Sequence, residues 1–303
     1  VVAGILNLLK SNGYYNGDIV AISWGKKNTR DTIYAERIAH LFGWDFIHLP
    51  ISEETLYSNI ELTGGLGAEF SPVHLHAMKD VSLLKGLDGI FAGSYGDSIG
   101  RGEYSGCKVD KLPPILNKNM NHFSFLLKSA QKDAYLILKR DLVLSRSAFA
   151  GRSELSYREI EMQLHYMRRQ LNACMNVIDD EIPLYQMFSS KEVFGYIWSL
   201  EPKCRNDDIY EKLLTILPGN LLDIPWARTG KRYNTSIKSI EEDKLSNSYH
   251  SYGKWLRNDC RDFVIEKINN GNLQGMGIFN EQSLNTWTKK WPKNQSGKAD
   301  RLD

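Results

Sequence analysis

The residues best suited to chemistry concentrate in one stretch, Gly89-Ile90-Phe91-Ala92-Gly93-Ser94-Tyr95-Gly96-Asp97-Ser98-Ile99-Gly100-Arg101-Gly102. Ile90 to Ala92 is an apolar run that predicts a short buried strand. A glycine-rich turn follows it, and the first carboxylate after the strand is Asp97. In an open α/β sheet, ligands sit beyond the carboxyl ends of the strands. Glycines there let backbone N–H groups approach phosphate, and one carboxylate is a usual partner for the accompanying Mg²⁺. Asp97 therefore reads either as a metal ligand or as a solvated turn residue. Arg101 reads either as a phosphate contact or as exposed charge.

A second set follows Pro225-Trp226: the basic residues Arg228, Lys231 and Arg232. They read either as an arm that reaches phosphate or as a solvated charge run. Other chemistries find less support. His74 and His76 are two apart, and helical residues at that spacing do not share a face, whereas zinc needs three or four converging ligands. No Gly-x-Ser-x-Gly elbow occurs, which argues against a serine hydrolase. The tryptophans of the later half are not accompanied by a basic stripe, so they read as core anchors and not as a base-stacking platform.

The elements that must position these residues are legible in outline. Val1 to Lys10 predicts an apolar helix. Ile19 to Trp24 predicts a fully buried strand between Gly17 and Gly25. Ile33, Tyr34, Ile38, Leu41 and Phe42 repeat at helical spacing and end at Gly43, a natural cap. Trp44 to Leu49 is the next strand, closed by Pro50. A polar segment containing Thr63-Gly64-Gly65-Leu66-Gly67 follows. Val73 to Leu84 predicts a helix, with Pro72 at its first turn. Strands alternating with helices argue for a parallel, doubly wound sheet. Such a sheet normally opens with a strand, and that strand would precede Val1. After about residue 110 strand signals become rare, and Pro113-Pro114 marks the change. Glu154 to Val177 predicts one amphipathic helix with Ile160, Leu164, Met167, Leu171 and Cys174 on its stripe. Ser189-x-x-Glu192 resembles a capping box. Asp207 to Leu217, 250–268 and 281–291 also predict helices, with Trp255, Phe263, Trp287 and Trp291 as anchors. The expected organisation is an α/β part over 1–110 and a mostly helical part over 111–303.

Composition is that of a globular chain: of 303 residues, 42% are hydrophobic and 24% charged. The net charge of +2 implies no polyanion partner, so no nucleic acid is expected. No apolar run approaches the ~20 residues needed to span a bilayer, and no secretory signal is visible. No membrane association is expected, and a cytoplasmic protein is the default. The four cysteines contain no Cys-x-x-Cys pair, and they read as core filler in a reducing compartment. The chain opens on an uncapped helix without Met and stops at Asp303 in helix-forming composition. Both ends lead to the expectation of a longer protein.

Taken together, these residues resemble the synthetase domain of the glutamine-hydrolysing asparagine synthase family, of ATP-pyrophosphatase type, over essentially the whole chain. Ala21-Ile22-Ser23-Trp24-Gly25, then Asp31 and Ala35-Glu36-Arg37-Ile38-Ala39, resembles the family's second strand and next helix. Ala92-Gly93-Ser94-Tyr95-Gly96-Asp97-Ser98 resembles its Ser-Gly-x-Gly-x-Asp-Glu loop. The segment from Phe194 through Tyr210 to Ile224-Pro225-Trp226-Ala227-Arg228-Thr229-Gly230-Lys231 resembles its helical region and basic, substrate-facing loop. The first helix resembles the one after the family's pyrophosphate loop, Ser-Gly-Gly-x-Asp-Ser, which this chain does not contain.

The resemblance implies an adenine nucleotide α-hydrolase-like fold and ATP-dependent amide-bond formation through an acyl-adenylate. Aspartate or another carboxylate would be joined to ammonia or an amine, with release of AMP and pyrophosphate. It implies ATP and Mg²⁺ as ligands, with Trp24 near adenine and Ala92, Gly93, Ser94 and Arg101 at the nucleotide. It further implies Asp97 as metal ligand and Lys231 or Arg228 as the catalytic cation. A glutaminase domain or subunit would supply ammonia, and the resemblance leaves room for a homodimer. Ser94 and Ser98 stand where the family has Glu, and Ala92 replaces Ser. These departures admit relatives that make other amide bonds: surface-glycan amidotransferases, lasso-peptide cyclases and β-lactam synthetases. They also admit a non-catalytic scaffold on the same fold. Without the pyrophosphate loop, this chain alone is expected to bind ATP weakly or not at all.

Overall fold

The computed structural model describes residues 1–68, 70–101, 106–112, 114–116, 121, 123–233, 244–271, 273 and 275–291, excluding the side chains of Arg101 and Cys107. In chain order the elements are α1 (Val2–Ser11), β1 (Val20–Trp24), α2 (Arg30–Phe42), β2 (Asp45–Leu49), α3 (Glu53–Gly65), α4 (Met78–Ser82) and β3 (Ile90–Ala92). After these come α5 (Lys128–Ala148), α6 (Glu154–Glu161), α7 (Asn172–Asp179), β4 (Leu184–Gln186), α8 (Lys191–Ser199) and α9 (Asp207–Ile216). The last are α10 (Tyr252–Arg257), α11 (Arg261–Asn270) and α12 (Glu281–Lys290). The chain divides into two compact units, Val1–Lys111 with Arg169–His250, and Leu112–Arg168 with Ser251–Asp303.

The first unit is mixed α/β and carries two small parallel sheets. β1 pairs with β2 from Val20↔Asp45 to Trp24↔Leu49. β3 pairs with β4 from Ile90↔Leu184 to Ala92↔Gln186. Both sheets rest on one cluster made by Phe70, Leu75, Met78, Val81, Cys174, Met175 and Ile178. Ile22 and Trp24 reach it from β1, Leu49 from β2, Ile90 and Ala92 from β3, and Leu184 from β4. Gly43 ends α2 with φ 68°, a left-handed cap that a side chain would strain.

Several local readings need correction. α3 occupies the segment read only as polar. The Ser52 N–H donates to Thr55 Oγ1 at 3.2 Å to open it, and its buried stripe is Leu56, Asn59 and Thr63. Two of those three are polar, so apolar periodicity cannot reveal the helix. The helix expected over Val73–Leu84 is broken: a 3₁₀ turn covers Pro72–Leu75, and α4 begins only at Met78. The break is His76, at φ 46°, whose carbonyl accepts from Asn59 Nδ2 at 2.8 Å. The cap of α8 is Ser190, not Ser189, and it accepts from the Val193 N–H. The stretch Met162–Leu171 is π-helical, so the predicted stripe does not continue in α register. β4 is a strand in the part read as helical, and its three residues are too short for a periodic signal.

The second unit is helical in its named elements. Leu126 and Phe279 form an antiparallel bridge, and the Asn280 N–H donates to the Phe125 carbonyl at 2.7 Å. Phe125 meets Trp287 edge-on with centroids 5.5 Å apart, and Trp287 stacks on Trp291 at 4.9 Å. The 250–268 segment is two helices, α10 and α11, and Trp255 of the first is buried. Among the described residues, no helix is long and apolar enough to cross a membrane.

Candidate functional site

A cavity of ≈ 580 Å³ opens at the carboxyl end of β3. Its wall includes Gly93, Tyr95, Gly96, Asp97 and Ser98 from the loop after β3, and Phe188 from just beyond β4. α1 contributes its first turn, Val1 to Ala3, and α9 contributes Tyr210 and Leu214, with Tyr233 beyond them in sequence. This is the position where open α/β sheets hold ligands.

The loop owes its shape to a few specific contacts. Tyr95 takes a left-handed φ of 70°, which turns the chain sharply out of β3. A π-helical turn then runs Gly96–Arg101, anchored by Ile99, which is 1% exposed. The Tyr210 hydroxyl donates to the Gly96 carbonyl at 2.5 Å. The Tyr210 and Phe188 rings lie so close that a Cβ on Gly96 would meet them at 3.0–3.1 Å. Buried Arg205 donates to the Ile99 carbonyl at 3.5 Å and lies over the Trp198 ring. These contacts hold the backbone of the turn and leave Asp97 exposed at the cavity.

The neighbouring groups are poor nucleophiles. Burial raises the Tyr95 phenol well above its usual range, with the Cys174 thiol adding to the effect, so Tyr95 keeps its proton. Burial pushes the Cys174 thiol up to about 12, which removes it as a thiolate. The first turn of α1 carries no side-chain cap and no acidic residue. The amino end of α1 lies in the cavity wall, and the positive end of a helix dipole favours an anion.

Of the residues singled out from the sequence, the structure brings Gly93 and Asp97 together on the cavity wall. Ala92 lies behind them, packed against the core cluster. The Ser94 hydroxyl donates to Gln186 Oε1 at 3.2 Å, a contact that ties the loop to β4. Trp24 does not line the cavity. Its ring stacks on His76 at 5.9 Å, and His76 meets Tyr249 at 5.5 Å. The Lys26 N–H donates to the Tyr249 carbonyl at 2.7 Å, so this aromatic cluster closes the carboxyl end of β1. The Arg101 side chain lies outside the described residues.

The basic segment is a tight hairpin. The Trp226 N–H donates to the Lys231 carbonyl at 2.9 Å, and Gly230 turns at φ 67° against the Arg30 guanidinium. Arg228 sits over the Trp226 ring at 5.9 Å, and Trp226 stacks on Tyr233 at 6.3 Å. Arg228 and Lys231 are both exposed and do not line the cavity wall. Tyr233 does, so the hairpin connects to the cavity through this stack. Arg232 pairs with Asp223 at 3.3 Å.

Sequence reasoning missed Phe188, Tyr210, Leu214 and Tyr233. Tyr210 and Leu214 were legible only as part of an apolar helical repeat. Among the described residues, no group of three or more His, Cys, Asp or Glu side chains converges as a metal site. Comparison with protein-family models found no match, and neither did comparison with curated proteins.

Proposed function

We propose that the chain is the synthetase part of an ATP-dependent amide-forming enzyme of the asparagine synthase type. The observation that carries the reading is the convergence of Asp97 and Gly93 on one cavity at the carboxyl end of β3, with the amino end of α1 in the same wall. On this reading the two parallel strand pairs belong to one doubly wound sheet of adenine nucleotide α-hydrolase type. Their shared core cluster supports that. The free thiols of Cys174, Cys204 and Cys260 suit a cytoplasmic setting.

A carboxylate would attack the α-phosphorus of ATP, releasing pyrophosphate and forming an acyl-adenylate. Ammonia from a glutaminase partner, or another amine, would then displace AMP. Asp97 is a hard oxygen donor, which suits Mg²⁺ shared with phosphate oxygens, a mode that needs only one or two protein carboxylates. Mg²⁺, when bound, neutralises charge on the phosphates. The loop backbone at Ala92 and Gly93 would lie along the nucleotide. Arg228 or Lys231, on the hairpin backed by Tyr233, would offset charge on the leaving pyrophosphate.

A second reading, a non-catalytic scaffold on the same fold, draws on Ser94 and Ser98. One hydroxyl is spent on Gln186 and the other residue is buried, and Asp97 is the one carboxylate among the described lining residues. Carboxylate-dependent ATP–pyrophosphate exchange by the full-length protein separates the two. Exchange that disappears in Asp97→Ala supports the enzyme. No exchange with any carboxylate offered supports the scaffold.

A further inference from the structure

We propose that the cavity beside Asp97 accepts an acyl substrate with an apolar body, an aryl or branched-alkyl carboxylate, in preference to a small dicarboxylate. The carboxylate head group rests on the amide-forming reading above. The apolar body rests on the cavity wall alone.

The wall is chemically divided. The loop from Gly93 to Ser98 supplies Asp97 and backbone polar groups. Phe188, Tyr210, Leu214 and Tyr233 supply three rings and an aliphatic side chain, and Val1, Val2 and Ala3 complete the wall. Phe188 and Leu214 have no polar side-chain atom. Tyr210 has one, but its hydroxyl is committed to the Gly96 carbonyl, so this residue offers the cavity its ring. The Tyr233 ring is backed by Trp226 at an interplanar angle of 19°. Such rings gain from burying another apolar or aromatic surface. The volume, ≈ 580 Å³, falls within the range of small-molecule sites and far exceeds what one carboxylate group fills.

Charge argues the same way. No lysine, arginine or histidine side chain lines the cavity among the described residues. A second carboxylate set against the Phe188, Tyr210, Leu214 and Tyr233 side of the wall would lose its water to largely apolar surface. A single carboxylate head beside Asp97 is accommodated when a divalent cation on Asp97 inverts the local charge. Binding should therefore depend on Mg²⁺.

The test is ligand-observed NMR titration of the full-length protein with phenylacetate and with aspartate, each in the presence of Mg²⁺. Phenylacetate should bind at least about tenfold more tightly than aspartate. Leu214→Gln and Tyr233→Ala, which alter the wall from two separate elements, should each weaken phenylacetate by about tenfold, the worth of one buried apolar contact. ATP affinity should stay within about twofold in Leu214→Gln, whose side chain is not assigned to the nucleotide. Equal or tighter aspartate binding, no phenylacetate binding, or indifference of both variants overturns the proposal. So does a loss confined to ATP, which would assign the wall to the nucleotide. Phenylacetate binding without pyrophosphate exchange sinks the amide-forming reading and leaves this one standing. Exchange with aspartate but not with phenylacetate does the reverse.

Discussion

The hydroxyl of Tyr210 donates to the carbonyl of Gly96 at 2.5 Å, across 114 residues of chain. One face of α9 thereby fixes the turn that carries Asp97. Tyr210→Phe removes this hydroxyl from the carbonyl of buried Gly96. The expected cost is about 1–2 kcal/mol in chemical denaturation, with weaker Mg·ATP binding. Gly96→Ala should cost more, about 1–3 kcal/mol, because its Cβ would press on Phe188 and Tyr210.

His76 should make the fold sensitive to acid. Burial first, then the neighbouring His250 and His74, lowers its pKa from 6.5 to about 3. The unfolded imidazole takes a proton below about pH 6.5, while the folded one refuses it until about pH 3. The unfolded state therefore binds more protons across that window, and stability falls as pH drops through it, by up to ~1.4 kcal/mol per pH unit. Urea titrations at a series of pH values read this slope. His76→Asn, which tolerates the left-handed φ, should flatten it.

In the second unit, Arg146 donates from Nε to Glu161 at 2.7 Å and makes two bonds to Glu154 at 3.0 Å. Glu161 is 4% exposed, and Glu154 is on the surface. Arg146→Met takes this guanidinium from a buried carboxylate and should cost about 1–3 kcal/mol, because the guanidinium itself is more than a third exposed. Glu154→Gln, which alters only the surface arm, should cost less than about 1 kcal/mol. Thermal or urea unfolding distinguishes these magnitudes directly.

Thiol labelling should follow burial. Cys204 is exposed, whereas Cys174 and Cys260 are buried, and the Cys174 thiol is pushed up to about 12. Cys204 should react rapidly with a water-soluble disulfide reagent, and Cys174 should react only on unfolding. Peptide mapping of the labelled protein checks the order.

The legible parts of this fold were those written in local pattern. β1 and β2 are short apolar strands closed by Gly25 and Pro50, and Gly43 marks the end of α2. The loop after β3 announced itself through its glycines and Asp97. What stayed hidden depends on distant partners. α3 buries Asn59 because that side chain holds the His76 carbonyl. The break at His76 depends on a ring that packs between Trp24 and Tyr249. Tyr210 has the sequence signature of an ordinary amphipathic helix, and only its contact with Gly96 reveals its position. Trp24 ends β1 as read, but its stacking on His76 keeps it off the cavity wall.

The central claim is that Asp97 holds the metal of a nucleotide in this cavity. Calorimetric titration of the full-length protein with ATP, with and without Mg²⁺, tests it most directly when the wild type is set beside Asp97→Ala. Asp97 is exposed, so the variant should fold normally. The account predicts saturable Mg²⁺-dependent binding that weakens at least about tenfold in Asp97→Ala, the loss expected for a charged ligand contact. Binding that is equal in both proteins, or absent from the wild type, would contradict it.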